Sequence, residues 1–254
     1  MKILFMGSTQ DASDMLGWTC EQQGIQIAAV VGDPPLQERA RTLGLTVLTL
    51  EEVYEKFHAA PDWCDLVISY LYWRILKSPI IDAPRYGCIN FHPAPLPDYK
   101  GRGGCSFAIL HQLTKWGCTA HYIDSGIDTG NIIDVRWFPF RWQDETGISL
   151  KKKTGEEQKV QYKEVFAQVV KMGVLPAERQ VADTGRYISK QEMLEAMRIR
   201  PEKDNIDAKI QAFWFPPHDG AFIELNGKRY TLVNEVVLKQ EAEKQQSSSD
   251  RIKV

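Results

Sequence analysis

Asn90 and His92 stand two residues apart in the segment Cys88-Ile-Asn-Phe-His92, and in an extended strand residues two apart share a face. Both side chains therefore leave one side of a strand that the proline run at Pro93, Pro95 and Pro97 brings to a stop. An amide N–H donor beside an imidazole suits acyl transfer: the amide can hold a developing oxyanion, and the imidazole can act as a base near neutral pH. A carboxylate arriving from a neighbouring loop could fix the imidazole tautomer. Asp128, in His121-Tyr-Ile-Asp-Ser-Gly-Ile-Asp128-Thr-Gly130, is the candidate. Each residue also has a plainer reading: Asn90 as a strand-end turn former, His92 as the partner of a rigid proline loop, and Asp128 as an Asx turn.

Such a constellation needs a scaffold that ends strands at a common edge. Residues 2–6 read as a strand, followed by Gly7-Ser8-Thr9 and a helical stretch over 11–23, which is the opening of a βαβ unit. Continuously apolar runs at 25–31, 45–50 and 65–69, with helical segments between them, repeat the pattern and predict a doubly wound parallel sheet. Open sheets of that kind bind ligands at the carboxyl ends of their strands. Residues 88–91 and 119–123 add two short strands, joined by a Pro- and Gly-rich loop over 93–104 and a short helix over 105–113. After a further strand over 131–137, Thr146 caps a long helix that Gly155 is expected to weaken or break. Near the end, Asp204 and Asn205 offer caps for a helix with Ile206, Ile210, Phe213 and Trp214 on one stripe. Asn226-Gly227 predicts a two-residue hairpin turn that sets Glu224 against Arg229 and Ile223 against Tyr230. From Lys239 the chain is polar and reads as a frayed tail.

Composition narrows the classes. With 254 residues, 43% hydrophobic and 25% charged, the chain can bury a real core, and disordered or disulfide-scaffold readings are excluded. Thirty-one Lys and Arg against 33 Asp and Glu leave a net charge of −2, which disfavours a nucleic-acid partner. Five cysteines at irregular spacing, with no CxxC pair, read as reduced packed thiols and not as zinc ligands. No metal is expected. The N-terminus lacks a signal-peptide core and no apolar run reaches membrane-spanning length, so a cytoplasmic protein without membrane attachment is expected.

The two motifs together, Asn90-x-His92-Pro93-x-x-Leu96-Pro97 and His121-x6-Asp128-x-Gly130, resemble the folate-dependent formyltransferase family over about residues 2–183. That resemblance implies a Rossmann-like catalytic domain that takes a formyl group from 10-formyltetrahydrofolate and passes it to an amine. Carried over by position, Asn90 would hold the oxyanion, His92 would accept the amine's proton, and Asp128 would orient His92. The stretch Ser69-Tyr-Leu-Tyr-Trp-Arg-Ile-Leu76 matches the family's pterin-pocket segment, so Arg74, Ile75 and Asp124 are the expected folate contacts, chiefly through backbone. The side chains of Trp73, Ile75 and Leu76 read as ordinary core packing. The sequence departs from many members after His-Pro, where Ala94 and Pro95 stand in place of Ser and Leu. That removes a hydroxyl and stiffens the loop.

Within the family, the expected architecture is a catalytic domain over 1–185, a small helix and β-hairpin subdomain over 186–238, and a polar, disordered tail over 239–254. The tRNA branch carries a further basic domain and the deformylase branch an earlier regulatory one, neither of which this sequence suggests. A compact extension containing Phe213-Trp-Phe-Pro-Pro-His-Asp-Gly-Ala221 is similar to the sugar branch. There the amine belongs to a nucleotide-linked deoxyamino sugar destined for surface polysaccharide such as lipopolysaccharide O-antigen. Ser8, at a helix start that can bind phosphate, and Lys100 and Arg102, the nearest basic residues in sequence to the motif, are the expected nucleotide contacts. The apolar hairpin predicts a homodimer. The alternatives are glycinamide ribonucleotide formylation and a non-catalytic folate- or nucleotide-binding module.

Overall fold

The computed structural model describes residues 1–181 and 184–251, with side chains to residue 243. Its elements in order are β1 (Lys2–Gly7), α1 (Gln10–Cys20), β2 (Gln26–Gly32), α2 (Pro34–Thr42), α3 (Leu50–Ala59), β3 (Leu66–Tyr70), β4 (Cys88–His92) and β5 (Tyr99–Gly101). These are followed by α4 (Gly104–Leu110), β6 (Lys115–Tyr122), β7 (Ile132–Pro139), α5 (Gly147–Met172), β8 (Arg186–Ile188), α6 (Lys190–Ala196), α7 (Ile206–Ala212), β9 (Phe222–Leu225), β10 (Lys228–Thr231) and α8 (Glu235–Arg251).

Six strands form one sheet in the order β2-β1-β3-β4-β6-β7. The pairs of β1 with β2, β1 with β3, and β3 with β4 are parallel, and β4 with β6 is antiparallel. This is the expected α/β, Rossmann-like doubly wound sheet. Its parallel strands are apolar on both faces because helices cover both. One layer packs Ile3, Phe5 and Ile68 against Leu16 of α1 and Tyr162, Val165 and Phe166 of α5. The other packs Leu4, Met6 and Val67 against Val53 and Phe57 of α3. The predicted strand over 45–50 does not form. A single bridge joins Val47 to Val30, after which Thr49 and Glu52 close a reciprocal capping box that turns the chain into α3.

Two compact units divide the chain, and they interleave along it. The first holds residues 1–100, 117–136 and 155–186; the second holds 101–116, 137–154 and 187–254. The small subdomain expected to begin at 186 thus also takes in α4 and the first turns of α5, because α4 packs with α7 and buries Phe107 edge-on to Phe213. Gly155 does not interrupt α5. A Cβ there would stand 2.8 Å from a carboxylate oxygen of Asp11, so the glycine leaves room for α1 instead of ending the helix.

The polar tail is also corrected. Residues 235–251 form α8, capped by the Asn234 side chain on the Val237 amide and anchored by buried Val237. Gln240 accepts from the Thr146 hydroxyl, and Glu241 accepts from the Trp214 indole. Ala, Glu, Lys and Gln are strong helix formers, so polarity alone did not decide the state. Residues 252–254 of the expected tail lie outside the described residues. The hairpin register is as expected, with Glu224 opposite Arg229 and Ile223 opposite Tyr230, and Asn226 and Gly227 both at positive φ. All five cysteines are free thiols, four of them buried. No helix among the described residues is long and apolar enough to cross a membrane.

Candidate active site

The last residue of β4 carries His92, and Asn90 sits two residues before it on the same strand. In the antiparallel register Asn90 lies opposite His121 of β6. The Asn90 carboxamide is held at both ends: its Oδ1 accepts from the Ser69 hydroxyl at 2.8 Å, and its Nδ2 meets His121 Nε2 at 3.1 Å. His121 Nδ1 is 2.8 Å from the Tyr122 carbonyl, which can only accept, so Nδ1 carries the proton and Nε2 is left to accept from Asn90. This fixes the Asn90 amide with its second N–H uncommitted to either partner.

His92 is 6% exposed, and its Nε2 is 2.8 Å from the Tyr99 carbonyl. The same argument puts the proton on Nε2 and makes Nδ1 the basic nitrogen. The tautomer assigned to Asp128 from the sequence is thus set by Tyr99. Asp128 instead faces two imidazoles, with Oδ2 3.6 Å from His92 Nδ1 and Oδ1 3.7 Å from His121 Nε2. Neither distance is a hydrogen bond in the neutral state, but a proton arriving on either nitrogen would lie against the carboxylate. Burial pulls His121 down to about 4, outweighing the attraction of Asp128, so His121 stays neutral near pH 7.

Asp128 is delivered by a turn in which it adopts a positive φ of 55°. Inside the turn, Asp124 Oδ1 accepts from the Gly126 amide at 3.0 Å and the Thr129 hydroxyl at 2.6 Å. Gly130 closes it against β6, where a Cβ would fall 1.8 Å from the Tyr122 carbonyl oxygen.

The structure therefore brings Asn90, His92 and Asp128 together with His121, which the sequence motif contained without a role, and adds Ser69 and the Tyr99 carbonyl, which the sequence reading left out. His121 had a signal: two residues after Thr119 on a strand antiparallel to β4, it had to meet Asn90 or its neighbour. Among the described residues no three His, Cys, Asp or Glu side chains form a metal-holding group.

The remaining expected contacts are scattered. Trp73 and Ile75 are each 59% exposed and not core; only Leu76 of that trio is buried. Arg74 is exposed, with its guanidinium 5.1 Å from the centre of the Trp73 ring. The Asp124 carboxylate is occupied within its own turn. The Ser8 hydroxyl is buried without a partner, just before the Thr9 cap of α1. Lys100 gives its ammonium to the Thr184 carbonyl at 2.8 Å. Arg102 is an exposed residue of the second unit, where its amide pairs with the Ile188 carbonyl.

Residues 48–166 match the formyl transferase family, a span that includes Asn90, His92, His121 and Asp128. That stretch resembles a formyl transferase domain. Among curated relatives, the methionyl-tRNA formyltransferase of Macrococcus caseolyticus (strain JCSC5402) is 29% identical over 162 residues, 58% of this chain and 52% of the relative. The chain spans about half the length of the curated relatives first matched. Among solved structures, an N-formyltransferase from Helicobacter canadensis in complex with folinic acid and dTDP-3-aminofucose superposes with a TM-score of 0.73. It is 24% identical and covers 92% of this chain and 89% of its own. A glycinamide ribonucleotide transformylase from Symbiobacterium toebii reaches a TM-score of 0.60 at 23% identity, covering 70% of this chain and 94% of its own. The chain thus shares its fold with both, and the superposition on the N-formyltransferase from Helicobacter canadensis extends over more of it.

Proposed function

We propose that the protein transfers a formyl group from 10-formyltetrahydrofolate to the amine of a nucleotide-linked deoxyamino sugar. The observation that carries the reaction type is the joint geometry of Asn90, His92 and Asp128. His92 Nδ1 is the base that takes a proton from the attacking amine, and Asp128, 3.6 Å away, balances the imidazolium that results. The uncommitted N–H of Asn90 donates to the formyl oxygen as the amine nitrogen bonds to the formyl carbon and negative charge builds there. When the tetrahedral intermediate collapses, the bond from the formyl carbon to the folate nitrogen breaks, and His92 returns its proton to that nitrogen. The folate supplies an activated formyl group on nitrogen. The exposed faces of Trp73 and Ile75 are apolar surface that a pterin ring would cover, with Arg74, Ile75 and Asp124 contributing through backbone.

The sugar is favoured over glycinamide ribonucleotide by the extent of the fold. Superposition on the sugar enzyme takes in 92% of this chain, against 70% for the ribonucleotide enzyme, so the elements beyond the common core have counterparts in the former. Either Ser8 and its neighbours, through backbone N–H groups, or the basic residues Lys100 and Arg102 are proposed to meet the pyrophosphate, and the apolar hairpin to join two copies. A second reading, formylation of methionyl-tRNA, is favoured by the curated relatives and opposed by the net charge of −2. The deciding experiment offers UDP-, GDP- and dTDP-linked 3-amino and 4-amino deoxysugars, glycinamide ribonucleotide and methionyl-tRNA in parallel, with 10-formyltetrahydrofolate as donor. At least one nucleotide sugar should be N-formylated with release of tetrahydrofolate. Turnover of the ribonucleotide or the tRNA alone would overturn the sugar assignment.

A further inference from the structure

We propose that Gln180 is the positioning residue for Asp128, its carboxamide clamping the turn so that the carboxylate faces His92. Gln180 lies beyond the stretch that matches the family, fifty-two residues along the chain from Asp128. Its Nε2 is 3.0 Å from the Asp128 carbonyl and 2.8 Å from the Gly130 carbonyl. Both neighbours can only accept, so the amide's orientation is settled: one N–H goes to each carbonyl, and Oε1 points away. That Oε1 is buried and has no partner, an arrangement that costs free energy and is kept because the two carbonyls claim the other end.

The clamp is rigidly mounted. After α5 ends, the Leu175 amide and carbonyl both bond the Tyr122 hydroxyl, at 2.7 and 3.3 Å. Glu178 then exchanges two backbone hydrogen bonds with Ile132 at the start of β7. Gln180 follows two residues later, so its carboxamide is referenced to β6 and β7, the two strands that flank the turn.

The turn needs such a clamp. Asp128 holds a left-handed conformation, which Asp adopts more readily than most residues with a Cβ but less readily than glycine, and the hydrogen bonds of the Asp124 staple go to Gly126 and Thr129. Loss of the two Gln180 hydrogen bonds would favour relaxation of the peptide at Asp128 toward negative φ, which would swing the carboxylate away from His92 Nδ1. Misplacing a catalytic group by about 1 Å can cost about a hundredfold in rate.

This inference rests on the formyl-transfer reading, and its test separates the two. Gln180→Met keeps the length of the side chain and removes both donors. We expect it to lower kcat at least tenfold, with KM for the folate and for the amine within about twofold of wild type. In an Asp128→Asn background the same change should cost nothing further, because the group it positions is already disabled. A multiplicative loss in the double variant, an unchanged kcat, or a loss confined to KM would overturn the assignment. Should Gln180→Met fail to fold, Gln180→Glu keeps the shape and presents oxygens to the two carbonyls, with the same expectations. If the wild-type protein formylates none of the amines offered, the functional reading falls, and crystal structures then decide the clamp. Displacement of the Asp128 carboxylate from His92 by at least about 1 Å in the variant supports it, and an unmoved turn refutes it.

Discussion

At the residue scale the site is organised by which nitrogen carries each proton. Two backbone carbonyls, Tyr99 for His92 and Tyr122 for His121, present both imidazoles with their basic nitrogens toward Asp128. Replacing His92 by Asn should cut kcat at least about a hundredfold while leaving substrate affinity nearly intact, since only the proton acceptor is lost. Measured kcat within tenfold of wild type would remove His92 from the mechanism. His121 yields a second expectation, about stability. Its folded value of about 4 lies below the ordinary 6.5, so between those values the unfolded chain binds a proton that the native state does not. Stability from this group therefore falls as pH is lowered through that window, by up to about 3 kcal/mol at its acid end. His121→Gln keeps an acceptor for Asn90 and loses the titration. Urea unfolding at pH 4.5 and 7 should show a smaller acid loss in that variant than in wild type, and an equal loss would place the sensitivity elsewhere. Asn90, His92 and Asp128 were legible in the sequence because strand alternation and motif spacing are local. The tautomers were not, because they depend on carbonyls that only the folded loop brings near.

At the scale of elements, strands and caps were read more securely than the ends of elements. The Asn226-Gly227 turn fixed the hairpin register because a two-residue loop at positive φ leaves one pairing. The segment 45–50 misled because an apolar run suits a strand or a buried connection equally, and the capping box at Thr49 decided against the strand. Gln211 shows what no local pattern reveals. It is buried in α7, and its Nε2 reaches three carbonyls, those of Trp142 and Gln143 in the 3-10 turn Trp142–Asp144 and that of Glu145 just after it. Gln211→Leu would fill the volume and strand those carbonyls, at about 2–3 kcal/mol if one or two remain unpaired. For a chain of this length that corresponds to a fall of roughly 4–10 °C in Tm. Calorimetry on the two proteins measures it directly, and a Tm within a degree of wild type would mean that the carbonyls find other donors.

For the whole molecule, the hairpin is a surface that joins exposed apolar side chains to an open strand edge. Leu225 and Tyr230 are 54% and 48% exposed, and Val233, just beyond β10, is 46% exposed. Among the described residues β10 pairs only with β9, so its outer backbone edge is open as well as its apolar side chains. An exposed, partly apolar strand edge invites pairing, and a two-stranded ribbon alone is marginally stable. A twofold partner answers both demands, because the same edge and the same side chains on a second copy are self-complementary. Light scattering at micromolar concentration should therefore give about twice the 29.0 kDa chain mass. Leu225→Glu combined with Tyr230→Glu places like charges across the twofold axis and should return the mass to that of one chain, with Tm becoming independent of protein concentration. Because Asn90, His92 and Asp128 all lie in the first unit, the monomeric variant should keep its kcat. A wild-type mass of one chain would refute the dimer, and a variant that stays dimeric would move the interface off the hairpin.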